Sequence, residues 1–274
     1  MKNIITSISS FEELIKADAI YVDKTDIIYS LLTKTPGMFF CSRPRRFGKT
    51  FLLSTLEAIF QGKKELFKGL KIYDSGYDWK EYPIIHIDLG NIDADDATEL
   101  KKKLLYLLDD IISQYSIKID RTEYYETNLK RVIEKLAEDN KIVILIDEYD
   151  KILSSNIYNP NVEKMRTVLR RFFEIIKAAS AHIHFAFITG VTKFSKVSIF
   201  SSMNNLNDIS MDKEYASLFG YTDEEIELYF GEYIEKGITA TGMPREEYIA
   251  ALRKKYDGYR FSPDTEIAVY NPVS

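Results

Sequence analysis

Cysteine is nearly absent: Cys41 stands alone among 274 residues, so no intramolecular disulfide can form. No charged-then-apolar signal precedes Phe11, and the two absences together predict an intracellular, reducing, cytoplasmic setting. No uninterrupted apolar run approaches the ~20 residues of a membrane-spanning helix, which argues for a soluble protein without a membrane partner. Histidine is scarce, with 3 in the chain, so a His- or Cys-based metal centre has few ligands to draw on. Excess charge is lacking too. The 29% of charged residues sum to -5, which argues against broad electrostatic coating of nucleic acid. What is present is 45% hydrophobic residues over a length that suits one large globular domain, or a domain with a small appendage.

The chain is organised around Cys41-Ser42-Arg43-Pro44-Arg45-Arg46-Phe47-Gly48-Lys49-Thr50, which ends in the Gly-Lys-Thr of a phosphate-binding loop. The full signature places glycine five residues before Gly48, where this chain has Arg43, so the motif is degenerate and needs support from its surroundings. Those surroundings fit. Met38 to Cys41 reads as a short buried strand, and Leu52, Leu53, Leu56, Ile59 and Phe60 follow at helical spacing up to Gly62. Strand, loop, helix is the order that lets backbone N–H groups converge on a phosphate. Before the loop, Ser10-Phe11-Glu12-Glu13 has the form of a capping box, and Tyr21 to Thr25 leads into a second helix through Leu32, ended by Thr35-Pro36-Gly37. That second segment either packs against the sheet edge, as apolar stripes usually do, or lies over a bound base.

Further strands are expected at Pro83 to Asp88, Lys141 to Glu148, His184 to Gly190 and Leu206 to Ser210. Helices are expected around Leu100 to Ile111, Leu129 to Leu136 and Val162 to Ile176. His86, on a strand, reads as structural. Asp88 with Glu99-Leu100-Lys101 superficially matches a nuclease metal site, but a helical pattern at Glu99 and Lys101 would point the two side chains apart. Arg166, Arg170 and Arg171 read as a solvated helix face, and Lys193 to Asn205 as a polar loop. Thr222-Asp223-Glu224-Glu225 is a second capping box, and two helices, from there and from Pro244 to Tyr256, make a small lid.

The apolar run into Asp147-Glu148 is the second strong signal. An acid at the carboxyl end of a buried parallel strand lies beside the phosphate loop and can hold the Mg²⁺ that bridges two phosphates, which fits Asp147. Glu148 would point elsewhere, placed to orient or deprotonate a water. Thr189 ends the next strand with a hydroxyl that either contacts the γ phosphate or attacking water or simply terminates the strand.

Taken together, Tyr21-Val22-Asp23-Lys24-Thr25, the Arg43 to Thr50 loop, Leu145 to Asp150 and Tyr256-Asp257-Gly258-Tyr259-Arg260-Phe261 resemble the bacterial predicted AAA-ATPase-like family over almost the whole chain. The chain is similar, more distantly, to archaeal-type signal-transduction ATPases with a Gly-Pro-Arg-Arg-x-Gly-Lys-Thr loop. The resemblance implies Lys49 on the β and γ phosphates, Thr50 and Asp147 at Mg²⁺, and Glu148 as the water-activating acid. In this family Arg43 in place of the first glycine is ordinary. Members commonly continue into a restriction-like nuclease domain after the Tyr-Asn-Pro segment, which suggests that Ser274 is a fragment end.

The expected fold is α/β, a P-loop NTPase three-layer sandwich with a parallel sheet of the additional-strand type, one strand lying between the loop strand and the Asp147 strand. Residues 1–215 would form the core and residues 216–274 a helical lid cut short at its C-terminal end. The expected activity is Mg²⁺-dependent ATP binding and hydrolysis by a regulatory motor or switch. Arg43, Pro44, Arg45, Arg46, Phe47, Gly48, Lys49, Thr50 and Phe51 would bind nucleotide, with Glu148, Lys49 and Thr189 catalytic and Thr50 and Asp147 at the metal. The alternatives are a signalling switch with negligible turnover and an ATP-dependent, nucleic-acid-associated defence protein using Lys193, Lys196 and the arginine helix. Partners admitted by this reading are a C-terminal effector domain, a partner protein or further copies of the chain, one of which could lend an arginine to the site.

Overall fold

The computed structural model describes residues 2–34, 37–192, 199–200, 204–256 and 258–272. Thr35, Pro36, Lys193, Lys196, Asp257 and Ser274, named above, lie outside them. The elements in order are α1 (Phe11–Lys16), α2 (Thr25–Lys34), β1 (Gly37–Ser42), α3 (Lys49–Phe60), β2 (Ile84–Asp88), α4 (Ala97–Gln114), α5 (Tyr125–Leu136), β3 (Ile142–Asp147), α6 (Lys151–Ser155), α7 (Val162–Ala178), β4 (Ile183–Gly190), β5 (Leu206–Asp208), α8 (Asp223–Thr241) and α9 (Arg245–Tyr256).

The five strands form one all-parallel sheet in the order β2-β3-β4-β1-β5, so β4 lies between the loop strand β1 and the Asp147 strand β3, as the additional-strand arrangement requires. The strands are apolar nearly throughout because both faces are covered. Side chains alternate between the faces. Phe40, Ile85, Ile144, Ile146 and Ile188 join α4, α5 and α7 in one core. Phe39, Cys41, Val143, Leu145 and Phe187 join α1, α2 and α3 in the other. Three layers result. In α3, Leu53, Leu56, Ile59 and Phe60 are fully buried, each stabilising by about 1.5–3 kcal/mol through lost apolar surface.

Both segments expected as capping boxes sit at helix starts, with the reciprocal pair of bonds seen only at α8. Ser10 Oγ accepts the Glu13 N–H at α1, and at α8 the Thr222 side chain and Glu225 satisfy each other's backbone N–H groups. Two expectations change. The last strand stops at Asp208, whose Oδ1 accepts the N–H and hydroxyl of Ser210 and bends the chain away. The stretch expected as a polar loop after β4 carries buried Ile199 and Phe200, the latter packed on Tyr149, Phe40 and Phe173. Two apolar residues are too few to show a period.

The C-terminal segment is tied into the core. Leu218, Phe219 and Val269 are buried with Phe39 and Phe47, whereas α8 buries only Ile234 and α9 buries none of its residues. The N-terminal segment meets α8 through polar contacts. Lys24 Nζ pairs with Glu225 at 2.5 Å, Tyr229 Oη accepts the Asp23 N–H at 3.2 Å, and Tyr233 Oη donates to the Lys2 carbonyl at 2.9 Å. Among the described residues no helix is long and apolar enough to cross a membrane.

Candidate active site

In-register pairing brings the carboxyl ends of the strands into line. Cys41 pairs with Thr189, Ser42 with Gly190 and Asp88 with Asp147. This is the edge at which open parallel sheets bind ligands. Between β1 and α3 the chain takes positive φ at Arg46 (68°) and Gly48 (80°) but not at Arg45 or Phe47. Alternation of this kind curves successive N–H groups toward one point and makes a concavity for an anion. Leu52 N–H is satisfied by the Gly48 carbonyl, so the N–H groups of Lys49, Thr50 and Phe51 are the free donors that every helix start carries. The backbone of the loop forms an open cradle lined by N–H groups. Arg46, which must hold a left-handed conformation without being glycine, carries the strain of it.

Lys49 lies buried inside this cradle, its Nζ donating to the carbonyls of Arg43 at 3.1 Å and Pro44 at 3.0 Å. Burial pushes its amine below the ordinary lysine value, while Asp147, Glu148 and Asp150 push it back up. Asp147 joins the loop to the sheet. One carboxylate oxygen accepts the Thr50 hydroxyl, and the other accepts the hydroxyl of Thr189 at the end of β4 and the Glu148 N–H at 3.0 Å. Glu148 stands in the left-handed region at φ 49° and lines the same cavity as Arg45, Arg46, Phe47, Gly48, Lys49, Thr50 and Phe51. Asp150 is structural in kind, its carboxylate accepting the N–H groups of Val191 and Thr192.

Two residues of the loop, Arg43 and Pro44, do not border the cavity, where the motif leads one to expect them. The Arg43 side chain is 1% exposed and runs into the core, where Nη1 donates to the carbonyls of Ser42 (2.9 Å) and Ser210 (2.7 Å) and Nη2 to that of Tyr215 (3.3 Å). Its guanidinium carbon sits 4.0 Å from the centre of the Phe261 ring. Only the Arg43 carbonyl reaches the cradle, through Lys49. Pro44 likewise contributes its carbonyl. The Phe47 side chain is buried edge-on against Tyr259 and Phe261, at 4.7 and 5.2 Å between ring centres.

Beyond the loop the cavity, of about 500 Å³, is walled by Ile4, Ile5, Ile8, Leu14, Ile20, Tyr21, Val22 and Ile28 on one side and Leu218 to Tyr221 with Phe230 on another. Sequence reasoning missed the first and last of these walls, since neither Ile4 to Ile8 nor Leu218 to Tyr221 has a period that marks a binding surface. Tyr21 to Thr25 divides its labour: Tyr21, Val22 and Lys24 line the cavity, while Asp23 and Thr25 accept the N–H groups of Lys71 (2.8 Å) and Ile72 (3.0 Å). His86 bonds Glu57 through Nδ1 at 2.8 Å, away from the loop. Asp88 bonds Gly90 and Asn91, and Glu99 sits in the first turn of α4. Arg166, Arg170 and Arg171 stand beside Glu163, Glu174 and Glu126 on the surface.

A family model described as Predicted AAA-ATPase matches residues 6–200, which take in the loop, Asp147, Glu148 and Thr189. The chain belongs to that family. An Azotobacter chroococcum mcd 1 protein named "Uncharacterized protein in vnfD 5'region" is 36% identical over 279 residues, covering 99% of this chain and 50% of that protein. This AAA-ATPase-like chain thus spans half the length of that relative. The Aeropyrum pernix ORC2 protein, solved in ADPNP-ADP complexes, aligns with 80% of this chain and 50% of its own at 15% identity and a TM-score of 0.33, a likeness too slight to carry an argument. Membership of a predicted ATPase family and the parallel α/β sheet support a nucleotide-binding ATPase at that coarse level.

Proposed function

We propose that this AAA-ATPase-like chain binds ATP with Mg²⁺ and hydrolyses it, serving as a regulatory motor or switch in the cytoplasm. The observation that carries the reading is the double anchorage of Asp147. Its two oxygens hold Thr50 at the start of α3 and Thr189 at the end of β4, so loop, acid and strand end meet at one point. A hydroxyl and a carboxylate are hard oxygen donors of the kind Mg²⁺ takes alongside phosphate and water, so Thr50 and Asp147 fit the metal. Thr50 and Asp147 would hold the ion where it would neutralise charge on the phosphates. The cavity suits the rest of the ligand, with a polar cradle at one end and apolar walls for a base at the other.

Each residue then has a task. The N–H groups of the loop and of the first turn of α3 hold phosphate oxygens, and Lys49 exchanges the Arg43 and Pro44 carbonyls for them. Glu148 orients the attacking water and accepts its proton as the bond to phosphorus forms and ADP leaves. Thr189 keeps Asp147 aimed. Catalysis of this kind is positioning and charge stabilisation, so these tasks need no covalent step.

The test is phosphate release from ATP by the wild type, Lys49→Ala and Glu148→Gln, with nucleotide binding measured beside it. Loss of binding in the first variant and of turnover in both is expected. A wild type that neither binds nor hydrolyses ATP with Mg²⁺ present refutes the proposal, and one that binds without turnover makes the chain a signalling switch.

A further inference from the structure

Glu148 has a neighbour with no role so far. Gly90 lies in the short turn Leu89–Asn91 that follows β2, and a Cβ built on it would stand 2.5 Å from Glu148 Oε2 and 3.1 Å from its Cδ. Non-bonded carbon and oxygen do not approach so closely, so any other residue at position 90 displaces the Glu148 carboxylate. Glycine is not needed there for its backbone freedom, because Gly90 is not among the glycines with positive φ. What the position requires is empty space.

Both sides of the contact are fixed. Asp88 Oδ1 accepts the Gly90 N–H at 2.7 Å and Oδ2 accepts Asn91 Nδ2 at 2.6 Å, which pins the turn. The Glu148 backbone is held left-handed at 49°, its N–H donating to Asp147 Oδ1 at 3.0 Å and Thr189 Oγ1 at 3.3 Å and its carbonyl accepting the Lys151 N–H at 2.9 Å. A backbone so constrained leaves the side chain to find its place among its neighbours. On one side is the cavity, on the other Gly90.

We propose that Gly90 is a positioning residue: the missing Cβ forms a slot at the end of β2 that sets the Glu148 carboxylate at the cavity wall. The inference rests on the assignment of Glu148 as the acid that activates water. It separates position from stability. The atoms a Cβ meets at Gly90 are the far ends of the Glu148 and Asp88 side chains, which can swing aside at small cost, so Gly90→Ala folds but leaves its carboxylate about 1 Å away from where it acts. A misplacement of that size costs about 100-fold in rate.

The experiment measures kcat for phosphate release, nucleotide affinity and thermal unfolding for the wild type, Gly90→Ala, Asp88→Ala, Glu148→Asp and the double variant Gly90→Ala/Glu148→Asp. Gly90→Ala is expected to lower kcat about 100-fold with nucleotide affinity within about twofold of wild type. Asp88→Ala frees the turn without adding an atom and is expected to lower kcat by about tenfold, so the test does not depend on one variant folding. Glu148→Asp is one methylene shorter and clears the added Cβ. In that background the Gly90→Ala penalty is expected to shrink below about tenfold, the coupling that a double-mutant cycle detects. The inference is overturned if both single variants at the turn keep wild-type kcat, if Gly90→Ala weakens nucleotide binding as much as turnover, or if its penalty is undiminished beside Glu148→Asp. A wild type without phosphate release, or a Glu148→Gln variant as fast as wild type, instead overturns the reading on which the inference stands.

Discussion

Replacing Arg43 by glycine restores the phosphate-loop signature, and by motif alone it should tighten nucleotide binding. The structure predicts damage instead. Arg43 is buried, donates to three carbonyls at 2.7 to 3.3 Å and stacks on Phe261. Hydrogen bonds from a charged donor contribute about 1.5–3 kcal/mol each and the ring contact about 0.5–2 kcal/mol. Against that stands the cost of burying a guanidinium, the force that pushes its pKa down, opposed by Cys41 and Asp208. Removing the side chain leaves buried carbonyls without their donor and a cavity where the guanidinium stood, and we expect the net cost of Arg43→Gly to be about 3–5 kcal/mol. At about 2–4 °C per kcal/mol for a chain of this size, the melting temperature drops by roughly 10 °C. Arg43→Lys keeps the charge without the planar fork and should fall between. Thermal unfolding followed by circular dichroism, with ATP titrations on the folded variant, provides the assay. A melting temperature within about 2 °C of wild type, or tighter ATP binding by the glycine variant, refutes the reasoning.

Phe261→Ala removes the ring under both Arg43 and Phe47 and should weaken nucleotide binding without touching the cavity, because the loop loses its support. Because Phe261 is only partly buried, the accompanying loss of stability should be smaller than the roughly 3–5 kcal/mol of a core phenylalanine, about 2–3 kcal/mol, and unchanged ATP affinity in the folded variant counts against the idea. Thr189→Val takes the hydroxyl from Asp147 and should lower turnover by about 10- to 100-fold while ATP affinity changes less, read by kcat against KM. Lys24→Met breaks the pair with Glu225 and should cost about 1–3 kcal/mol, with faster amide exchange at the start of α8; equal exchange in both proteins refutes it. His184 is stacked on Tyr82 at 4.2 Å, and burial lowers its pKa below 6.5. The unfolded chain therefore binds the proton first, so the stability is complete above about 6.5 and is lost as pH falls through the folded value. Melting curves at pH 7.5 and 5 should show a smaller acid-side loss for His184→Phe, and equal losses refute the assignment.

Local order was readable wherever one segment carries its own pattern. The apolar runs at Met38 to Cys41 and Ile142 to Ile146 become central strands because burial on both faces leaves no polar side to alternate with. The Ser10 side-chain cap and the Thr222 capping box start helices because each satisfies an N–H group three residues away. What stayed hidden depends on contacts far apart in the chain. Arg43 meets Ser210 and Tyr215, 167 and 172 positions away, and no local period announces such a partner. Asp23 and Thr25 bond to Lys71 and Ile72, which gives the pattern-poor stretch after Gly62 its anchor. Gly90 was invisible for a simpler reason. A residue chosen for an atom it lacks leaves no trace in composition or spacing.

The missing glycine at position 43 acquires a physical explanation from these contacts. A phosphate loop has to turn sharply and be held in that turn, and the two requirements can be met by different residues. Here the turning falls to Arg46 and Gly48, which carry the positive φ angles. The holding falls to Arg43 and Phe47, whose side chains reach back under the loop to Phe261 and Tyr259. A glycine at position 43 could not do the second task, and an arginine there does not obstruct the first, because its side chain leaves the cradle. Tyr259 and Phe261 thus support the loop from more than 200 positions away in the chain, although neither borders the cavity. If the proposed nucleotide binds more weakly when the segment carrying them is moved, thermodynamic reciprocity requires that the bound nucleotide stabilise the segment by the same free energy.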